Sequence, residues 1–257
     1  MRKKNTNALG QFLRAMRERL KPEDFGLPAG GRRRAPGLRR EEAASLCGVS
    51  PTWFTWIEQG RTTGVSQGTL QAIARGLRMS QAERAYLYTL GMRSEPARPA
   101  AADKAPHQLL PLVQAMKHPV YILDRYWDAV VWNSAAASLF SGWLGKKNER
   151  NLLRYVFLAT DARKFIADWR GRSQRLVAEY RADTAGLRED PVRRAMVEEL
   201  SEQSAAFAEA WKSQLVLARE GGIRQFNHPK RGTLRYEQFT LRPAAFPELK
   251  LIALVPL

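Results

Sequence analysis

The sequence has little of what builds disulfides, metal sites or membrane spans. Cys47 is the single cysteine, and the three histidines, His107, His118 and His228, are too far apart to form a metal-binding motif. One cysteine excludes an internal disulfide, and scattered histidines do not predict a zinc site. No apolar run reaches the roughly 18 residues that a membrane span requires. We therefore expect a soluble protein of the reducing cytoplasm, with no metal and no cofactor.

The motifs of common enzymes are missing as well. The sequence offers no nucleophile with a nearby base, no glycine-rich phosphate loop and no cluster of metal ligands. We therefore expect no catalytic residues. The remaining classes are proteins that bind and regulate.

Positive charge, by contrast, is abundant. The 42 Lys and Arg residues outnumber the 25 Asp and Glu residues and give a formal net charge of +17. A surplus of this size attracts polyanions, either nucleic acid or an anionic membrane surface. Charge alone does not choose between these partners.

The length and one low-complexity stretch predict two domains. A chain of 257 residues exceeds the typical single domain of about 100 to 150 residues. The segment Arg93–Pro106 combines prolines, alanines and charges without apolar periodicity, which is typical of an exposed linker. We predict a first domain over 1–92, a linker over 93–106 and a second domain over 107–257.

The apolar residues before the linker repeat at the spacing of α-helices. One stripe runs from Leu9 through Phe12 and Met16 to Leu20 and predicts the first helix. The Gly- and Pro-rich segment Lys21–Gly37 predicts a loop. Cap residues then predict four more helices, over about 39–47, 51–59, 66–77 and 80–91.

Residues Leu38–Gly60 have the pattern of a helix-turn-helix. Gly48 supplies the turn, Ser50 can cap the second helix, and Pro51 occupies its first position, where a missing N–H costs nothing. The segment resembles the Cro/repressor-like family of phage and bacterial regulators, which shares the pattern I-E-x-G followed by a basic residue, here Arg61. This resemblance covers about residues 9–90 and implies that the protein binds double-stranded DNA in the major groove.

The resemblance also implies roles for individual side chains. Base edges and nearby phosphates would be contacted from the second helix by Pro51, Thr52, Trp53, Thr55 and Trp56. Arg39, Arg40 and Arg61 would contact phosphates. Independently of the resemblance, the positive charge of Arg32, Arg33 and Arg34 beside the motif suits contact with the DNA backbone, although this triplet can also be a solvated loop. Arg39 departs from the family, which usually has a Ser, Thr or Asn cap there. The leading positions of the second helix lack Asn, Gln and Arg, so contacts with thymine methyl groups or readout of DNA shape would carry much of the specificity.

The second domain mixes strands and helices. Strands are predicted over 120–123 and 127–132, with a turn at Asp124-Arg125 between them, and Asn133 can cap a short helix. Two long amphipathic helices are predicted over about 161–181 and 191–212. The final strands are predicted over 214–220, 223–226, 233–241 and 249–255, with hairpin turns at Gly221-Gly222 and near His228.

This order of elements resembles a PAS-like sensor domain. Motifs along most of the chain are similar to those of the MmyB-like regulators, among them R-A-P-G-L-R-R-E-E from Arg34, W-I-E-Q-G-R from Trp56 and F-N-H-P-K-R-G from Phe226. The resemblance implies an all-α helix-turn-helix N-terminal domain plus an α+β PAS-like C-terminal domain with an antiparallel sheet. It also implies a pocket for a small apolar, fatty-acid-like ligand. The aromatic side chains that could line this pocket are Tyr121, Trp132, Phe140, Phe157, Trp169, Phe207, Trp211, Phe226 and Tyr236.

Two interpretations of the second domain stay open at this point. In the first, the protein is a homodimeric regulator that binds a palindromic operator and responds to an apolar ligand. In the second, the same DNA-binding domain is joined to a ligand-free dimerisation or protein-interaction module. Aromatic residues line ordinary cores as well as pockets, so composition does not decide between them.

Overall fold

The computed structural model describes residues 7–28, 37–62, 64–91, 105–145, 149–217 and 221–257. The chain forms two compact units, one built mainly from residues before 97 and the other mainly from residues after it. Each unit is described by itself below.

The first unit is helical. Its helices are α1 (Ala8–Arg19), α2 (Arg40–Cys47), α3 (Pro51–Gln59), α4 (Gln67–Gly76) and α5 (Gln81–Gly91). These elements confirm the predicted helix-turn-helix architecture. The described residues 21–28 of the predicted loop include a short 3₁₀ helix, Pro22–Phe25, which begins at a proline.

Short polar side chains and glycines set the ends of these helices. The Ser50 hydroxyl accepts a hydrogen bond from the Trp53 N–H at 3.1 Å, and the Ser66 hydroxyl accepts one from the Thr69 N–H at 3.2 Å. Gly48 and Gly60 adopt φ of +64° and +66°, the left-handed conformation that ends α2 and α3. The predicted bounds of α3 are therefore confirmed at both ends.

The core of the first unit is built from the predicted apolar positions. Phe12 and Phe54 are completely buried, and Phe12 makes an edge-to-face contact with Tyr86 at 5.0 Å between ring centroids. Cys47 is also buried, as expected of a small apolar side chain. Burial raises the pKa of its thiol to about 12, so the thiol stays protonated and unreactive at neutral pH.

The second unit is built on a five-stranded antiparallel sheet. Its strands are β1 (Val120–Leu123), β2 (Ala129–Trp132), β3 (Gly222–His228), β4 (Gly232–Leu241) and β5 (Lys250–Pro256), in the order β2-β1-β5-β4-β3. This sheet confirms the predicted α+β, PAS-like fold class. Strand β4 alternates as a half-buried strand should, with Tyr236 and Gln238 inward and Arg235 and Glu237 outward.

Helices cover the inner face of the sheet and part of its outer face. The helices are α6 (Ala105–Ala115), α7 (Ser134–Leu139), α8 (Leu152–Leu158), α9 (Ala162–Phe165), α10 (Trp169–Asp183), α11 (Pro191–Gln203) and α12 (Ala205–Lys212). The main aromatic core lies on the inner face. On the outer face, Val113 of α6 packs with Val120, Ile122 and Leu251.

Both predicted long helices are broken by residues that act as N-caps. The first is interrupted at Asp168, whose φ is +47° and whose carboxylate accepts a hydrogen bond from the Gly171 N–H at 3.3 Å. The second is interrupted at Ser204, whose hydroxyl accepts one from the Phe207 N–H at 3.3 Å. Asp and Ser side chains compete with the helix for backbone N–H groups, and here the local cap prevails over the continuous apolar stripe.

One predicted strand is wrong. Residues 214–217 are not in a strand, because Gln214 adopts φ of +55° and the edge strand that pairs with β4 begins only at Gly222. The predicted turn at Gly221-Gly222 is therefore wrong too. The hairpin turn near His228 is confirmed, since it joins β3 to β4, and the His228 Nδ1 accepts hydrogen bonds from the N–H groups of Lys230 and Arg231.

The turn between β1 and β2 holds the carboxylate of Asp124, which is partly buried and therefore less well solvated than it would be in water. The Asp124 Oδ1 accepts hydrogen bonds from the N–H groups of Tyr126 and Asp128, at 2.8 and 2.9 Å. Burial nevertheless raises the pKa of this carboxyl to about 6. The folded state therefore binds the proton more tightly than the unfolded chain, whose Asp pKa is about 3.9. Stability contributed by this group is lost as the pH rises through about 4 to 6.

The substitution Asp124→Asn is expected to raise the free energy of unfolding of this unit by about 1 to 2 kcal/mol at pH 7.5, because it removes the charge and keeps the acceptor oxygen. At pH 4 the gain should vanish. Urea unfolding at the two pH values, followed by the fluorescence of the buried tryptophans, measures the difference. Glu237→Gln on the exposed side of β4 is the control and should show no such dependence. An equal gain at both pH values would contradict this explanation.

Candidate functional site

Helix α3 presents one buried face and one exposed face. Phe54, Ile57 and Glu58 are buried against the rest of the first unit, whereas Thr52 and Trp56 lie on the opposite side of the helix and are exposed. Trp56 is 44% exposed, a high value for the largest apolar side chain. This exposed face is available to a partner.

The chemistry of this face is apolar with few hydrogen-bond donors. Trp53 is half-buried and makes an edge-to-face contact with Trp56 at 6.3 Å between ring centroids. The Thr55 hydroxyl donates to the Pro51 carbonyl at 2.8 Å, so its hydrogen is used within the helix. Such a surface is suited to thymine methyl groups more than to the hydrogen-bonding edges of guanine or adenine.

Gln59 was missed by the sequence prediction, which looked for amides only at the start of the helix. It is exposed at the end of α3, three residues after Trp56 and seven after Thr52. This spacing puts all three side chains on one face of the helix. The helical spacing in the sequence could therefore have indicated Gln59.

The six arginines predicted to contact phosphates differ in exposure and in ion pairing. Arg39 and Arg61 are exposed on either side of the helix-turn-helix. Arg40 is half-buried and ion-paired. Arg32, Arg33 and Arg34 lie outside the described residues.

The missing cap at Arg39 is replaced by Glu42, whose carboxylate accepts a hydrogen bond from the Arg39 N–H at 2.7 Å.

A buried carboxylate holds α3 against the two preceding helices. Glu58 Oε1 accepts from Arg17 Nε at 2.6 Å, and Glu58 Oε2 accepts from Arg40 Nε at 2.7 Å. The side chains of Glu58 and Arg17 are 2% and 5% exposed. Arg17 also donates to the Leu38 carbonyl at 2.8 Å. We call Arg17, Arg40 and Glu58 the Glu58 cluster, and it fixes the orientation of the exposed face of α3.

The second unit contains a cavity of about 50 Å³ between the sheet and α8 and α10. Three of the nine predicted pocket residues, Tyr121, Phe140 and Phe226, line it. The other six do not: Phe157, Phe207 and Tyr236 are buried in the surrounding core, and Trp132, Trp169 and Trp211 pack against its margin. The cavity is also lined by Leu152, Tyr155, Val156, Ile166, Arg172, Leu176, Arg224 and Gln238.

Polar side chains in this lining were missed by the sequence prediction. Arg224 is 8% exposed, and its Nε donates to Gln238 Oε1 at 2.9 Å. Its other nitrogens donate to the Ile223 and Gly221 carbonyls, both at 3.1 Å. Arg224 and Gln238 occupy inward positions of β3 and β4, so the alternation of the strands was the signal for them.

An open cleft of about 430 Å³ lies beside the cavity. It is bordered on one side by Ile166, Ala167, Asp168 and Arg172, and on the other by β3 from Ile223 to Phe226. Arg172 and Arg224 border both spaces. Two basic residues therefore border the place where the cleft meets the cavity.

Within the described ranges, no three His, Cys, Asp or Glu side chains are grouped to hold a metal ion. In that part of the chain no helix is long and apolar enough to cross a bilayer.

Comparisons with known proteins identify both units. A family model described as the MmyB-like transcription regulator ligand binding domain matches residues 105–257, more than half of the chain. A model described as a helix-turn-helix domain matches residues 8–87. A comparison with curated proteins gives no match. The two matches make the protein a DNA-binding transcription regulator with a ligand-binding domain, as the resemblance in the sequence predicted. The chain belongs to the family of MmyB-like transcription regulators.

Proposed function

We propose that this regulator reads a specific operator through the exposed face of α3 and responds to a small anionic amphiphile of the fatty-acid type. The proposed ligand binding rests on the position of Arg172 and Arg224, which border both the aromatic cavity and the open cleft. Since pockets combine an apolar lining with a few placed polar groups, this pair is suited to a carboxylate head group.

The DNA half of the proposal assigns two kinds of contact. Pro51, Thr52, Trp53, Thr55 and Trp56 face base edges and nearby phosphates, with thymine methyl groups as the main targets of the apolar atoms. Arg39, Arg40, Arg61 and the triplet over 32–34 contact phosphates and supply most of the salt-dependent affinity. The net charge of +17 favours this partner electrostatically.

The regulator acts in the cytoplasm as a homodimer in this proposal. Two recognition helices related by a two-fold axis would bind half-sites about one helical turn apart. Ligand binding would then shift the population between arrangements that bind DNA well and poorly, which requires different ligand affinities for the two.

The size of the cavity favours a second candidate function. A volume of about 50 Å³ is well below the roughly 300 to 1,000 Å³ of typical ligand pockets. A domain with so small a cavity can serve as a dimerisation or protein-interaction module without a small molecule. In the ligand-binding case, the ligand must also occupy the cleft or separate the aromatic side chains around the cavity.

A fluorescent polyene fatty acid tests the ligand half directly. We expect the full-length protein to bind this probe, and hexadecanoic acid to displace it at least tenfold better than hexadecanol, because charge-assisted hydrogen bonds contribute about 1.5 to 3 kcal/mol. Arg172→Met and Arg224→Met should each reduce this preference. Arg235→Met, on the exposed side of β4, is the matched control.

Two results would reject the anionic ligand. If acid and alcohol displaced the probe equally, the arginines would not recognise a head group. If the probe did not bind and native mass spectrometry found no co-purifying amphiphile, the ligand-free module would be the better description.

A further inference from the structure

The free side of edge strand β3 is partly covered by a short segment that we call the strap, Ile166–Asp168. Ile166 forms an isolated antiparallel bridge with Phe226. The neighbouring Ala167 N–H donates to the Gln225 carbonyl at 3.2 Å. The strap thus adds a fragment of a sixth strand to the sheet, at the edge where a strand would otherwise expose its backbone groups.

The bridge pair also lies where the cavity and the cleft of the second unit meet. Ile166 and Phe226 both line the inner cavity, and both line the outer cleft. The junction of cavity and cleft is therefore bordered by the contact of the strap with β3, together with Arg172 and Arg224. Moving the strap away from β3 would widen this junction and give a ligand in the cleft access to the aromatic cavity.

The attachments of the strap are those of a movable element. It is preceded by the four-residue helix α9, and it ends at Asp168, which adopts the left-handed conformation with φ of +47° and ψ of +50°. It is held to β3 by an isolated bridge and not by a continuous ladder. Segments with few backbone hydrogen bonds open at a lower free energy than the rest of a fold.

The side-chain directions permit opening without unfolding of the core. Ile166 points inward with Phe226, whereas Ala167 lies opposite Gln225, which is exposed on the outer face. Phe165, one residue before the strap, stacks on Phe226 at 5.0 Å between ring centroids and is buried. The buried, stacked Phe165 therefore anchors the end of the strap that begins at Ile166.

We infer that the strap is the gate of the ligand pocket, and that ligand enters when Ile166–Asp168 separates from β3. The inference rests on the proposed ligand-binding function of the same site. It adds that access is controlled by the pairing of Ala167 with Gln225.

A reversible crosslink across this pair tests the gate. In a Cys47→Ala background, Ala167→Cys and Gln225→Cys are combined, so that oxidation ties the strap to β3 at the border of the cleft. The control combines Gln225→Cys with Arg235→Cys, because Arg235 is the β4 partner of Gln225 and the strap stays free. Uptake of the polyene fatty-acid probe is followed by stopped-flow fluorescence, before and after reduction.

We expect oxidation to slow uptake at least tenfold in the strap pair and to leave the control pair unchanged, with reduction restoring the rate. Ala167→Pro is the second variant. It removes the N–H that bonds to Gln225, and it should speed uptake several-fold without cysteines. An oxidised strap pair that takes up the probe as fast as its reduced form overturns the gate while leaving the ligand site intact. A wild-type protein that does not bind the probe at all overturns the proposed ligand function, and the gate with it.

Discussion

Glu58→Ala is expected to destabilise the first unit by about 3 to 5 kcal/mol, because it leaves the guanidinium of Arg17 buried without its carboxylate. Arg17 keeps its hydrogen bond to the Leu38 carbonyl and a longer ion pair, at 3.5 Å, with the partly exposed Glu18. In a unit of this size, such a loss lowers the melting temperature by more than 10 °C, at roughly 4 to 8 °C for each kcal/mol. Differential scanning calorimetry of the full-length protein measures the change.

The controls separate the charge from the packing. Arg14→Gln breaks the exposed pair of Arg14 with Glu18 and should cost less than about 1 kcal/mol. Replacing Arg17 and Glu58 together by Met should recover much of the loss, since a buried pair is often no more stabilising than well-packed apolar side chains. A Glu58→Ala protein that melts within a few degrees of wild type would show that the Glu58 cluster does not hold α3.

The second large effect should distinguish a side chain proposed to contact bases, Trp56, from one proposed to contact phosphates, Arg61. Trp56→Ala is expected to weaken binding to the preferred operator at least tenfold and to leave binding to unrelated DNA nearly unchanged, because the contact proposed for Trp56 is apolar, is made to base edges and involves no charge. Arg61→Ala should weaken binding to all sequences alike and reduce the slope of log affinity against log salt by about 1. Fluorescence anisotropy at several salt concentrations measures both quantities.

Arg61 is a better probe of phosphate contact than Arg40. Arg40 is ion-paired with Glu58 through its Nε, so its replacement changes the stability of the unit as well as its charge. Trp56→Phe, which retains an aromatic ring, is the matched control for the first variant. The assignment of roles would be wrong if Trp56→Ala weakened binding to all sequences equally, or if Arg61→Ala left the salt dependence unchanged.

Local signals explain why the first unit was predictable from its sequence. Ser50, Pro51 and Gly60 define both ends of α3 by interactions within a few residues, so the sequence alone placed the helix correctly. The Glu58 cluster was not predictable in the same way. Glu58 and Arg17 lie 41 residues apart, and only the packing of α1 against α3 brings them together.

The candidate ligand site was harder to predict, for two physical reasons. Aromatic side chains fill cores and line pockets alike, so Phe157 and Phe207 could not be distinguished from Phe140 and Phe226 by residue type. The polar groups that distinguish a pocket come from distant elements: Arg172 is on α10, and Arg224 is on β3. The break at Asp168, where the strap ends, was not predicted, because the apolar residues on both sides of it repeat at the spacing of one continuous helix.

The measurement that tests the central claim most directly is selection of bound duplexes from a random-sequence library by the full-length protein. If the protein is a sequence-specific regulator that reads DNA through α3, selection yields one motif with two-fold-related half-sites about 10 base pairs apart. The same selection with the Trp56→Ala protein should lose the motif at the positions that Trp56 contacts. Recovery of duplexes with no shared motif, all released alike by salt, would contradict the account.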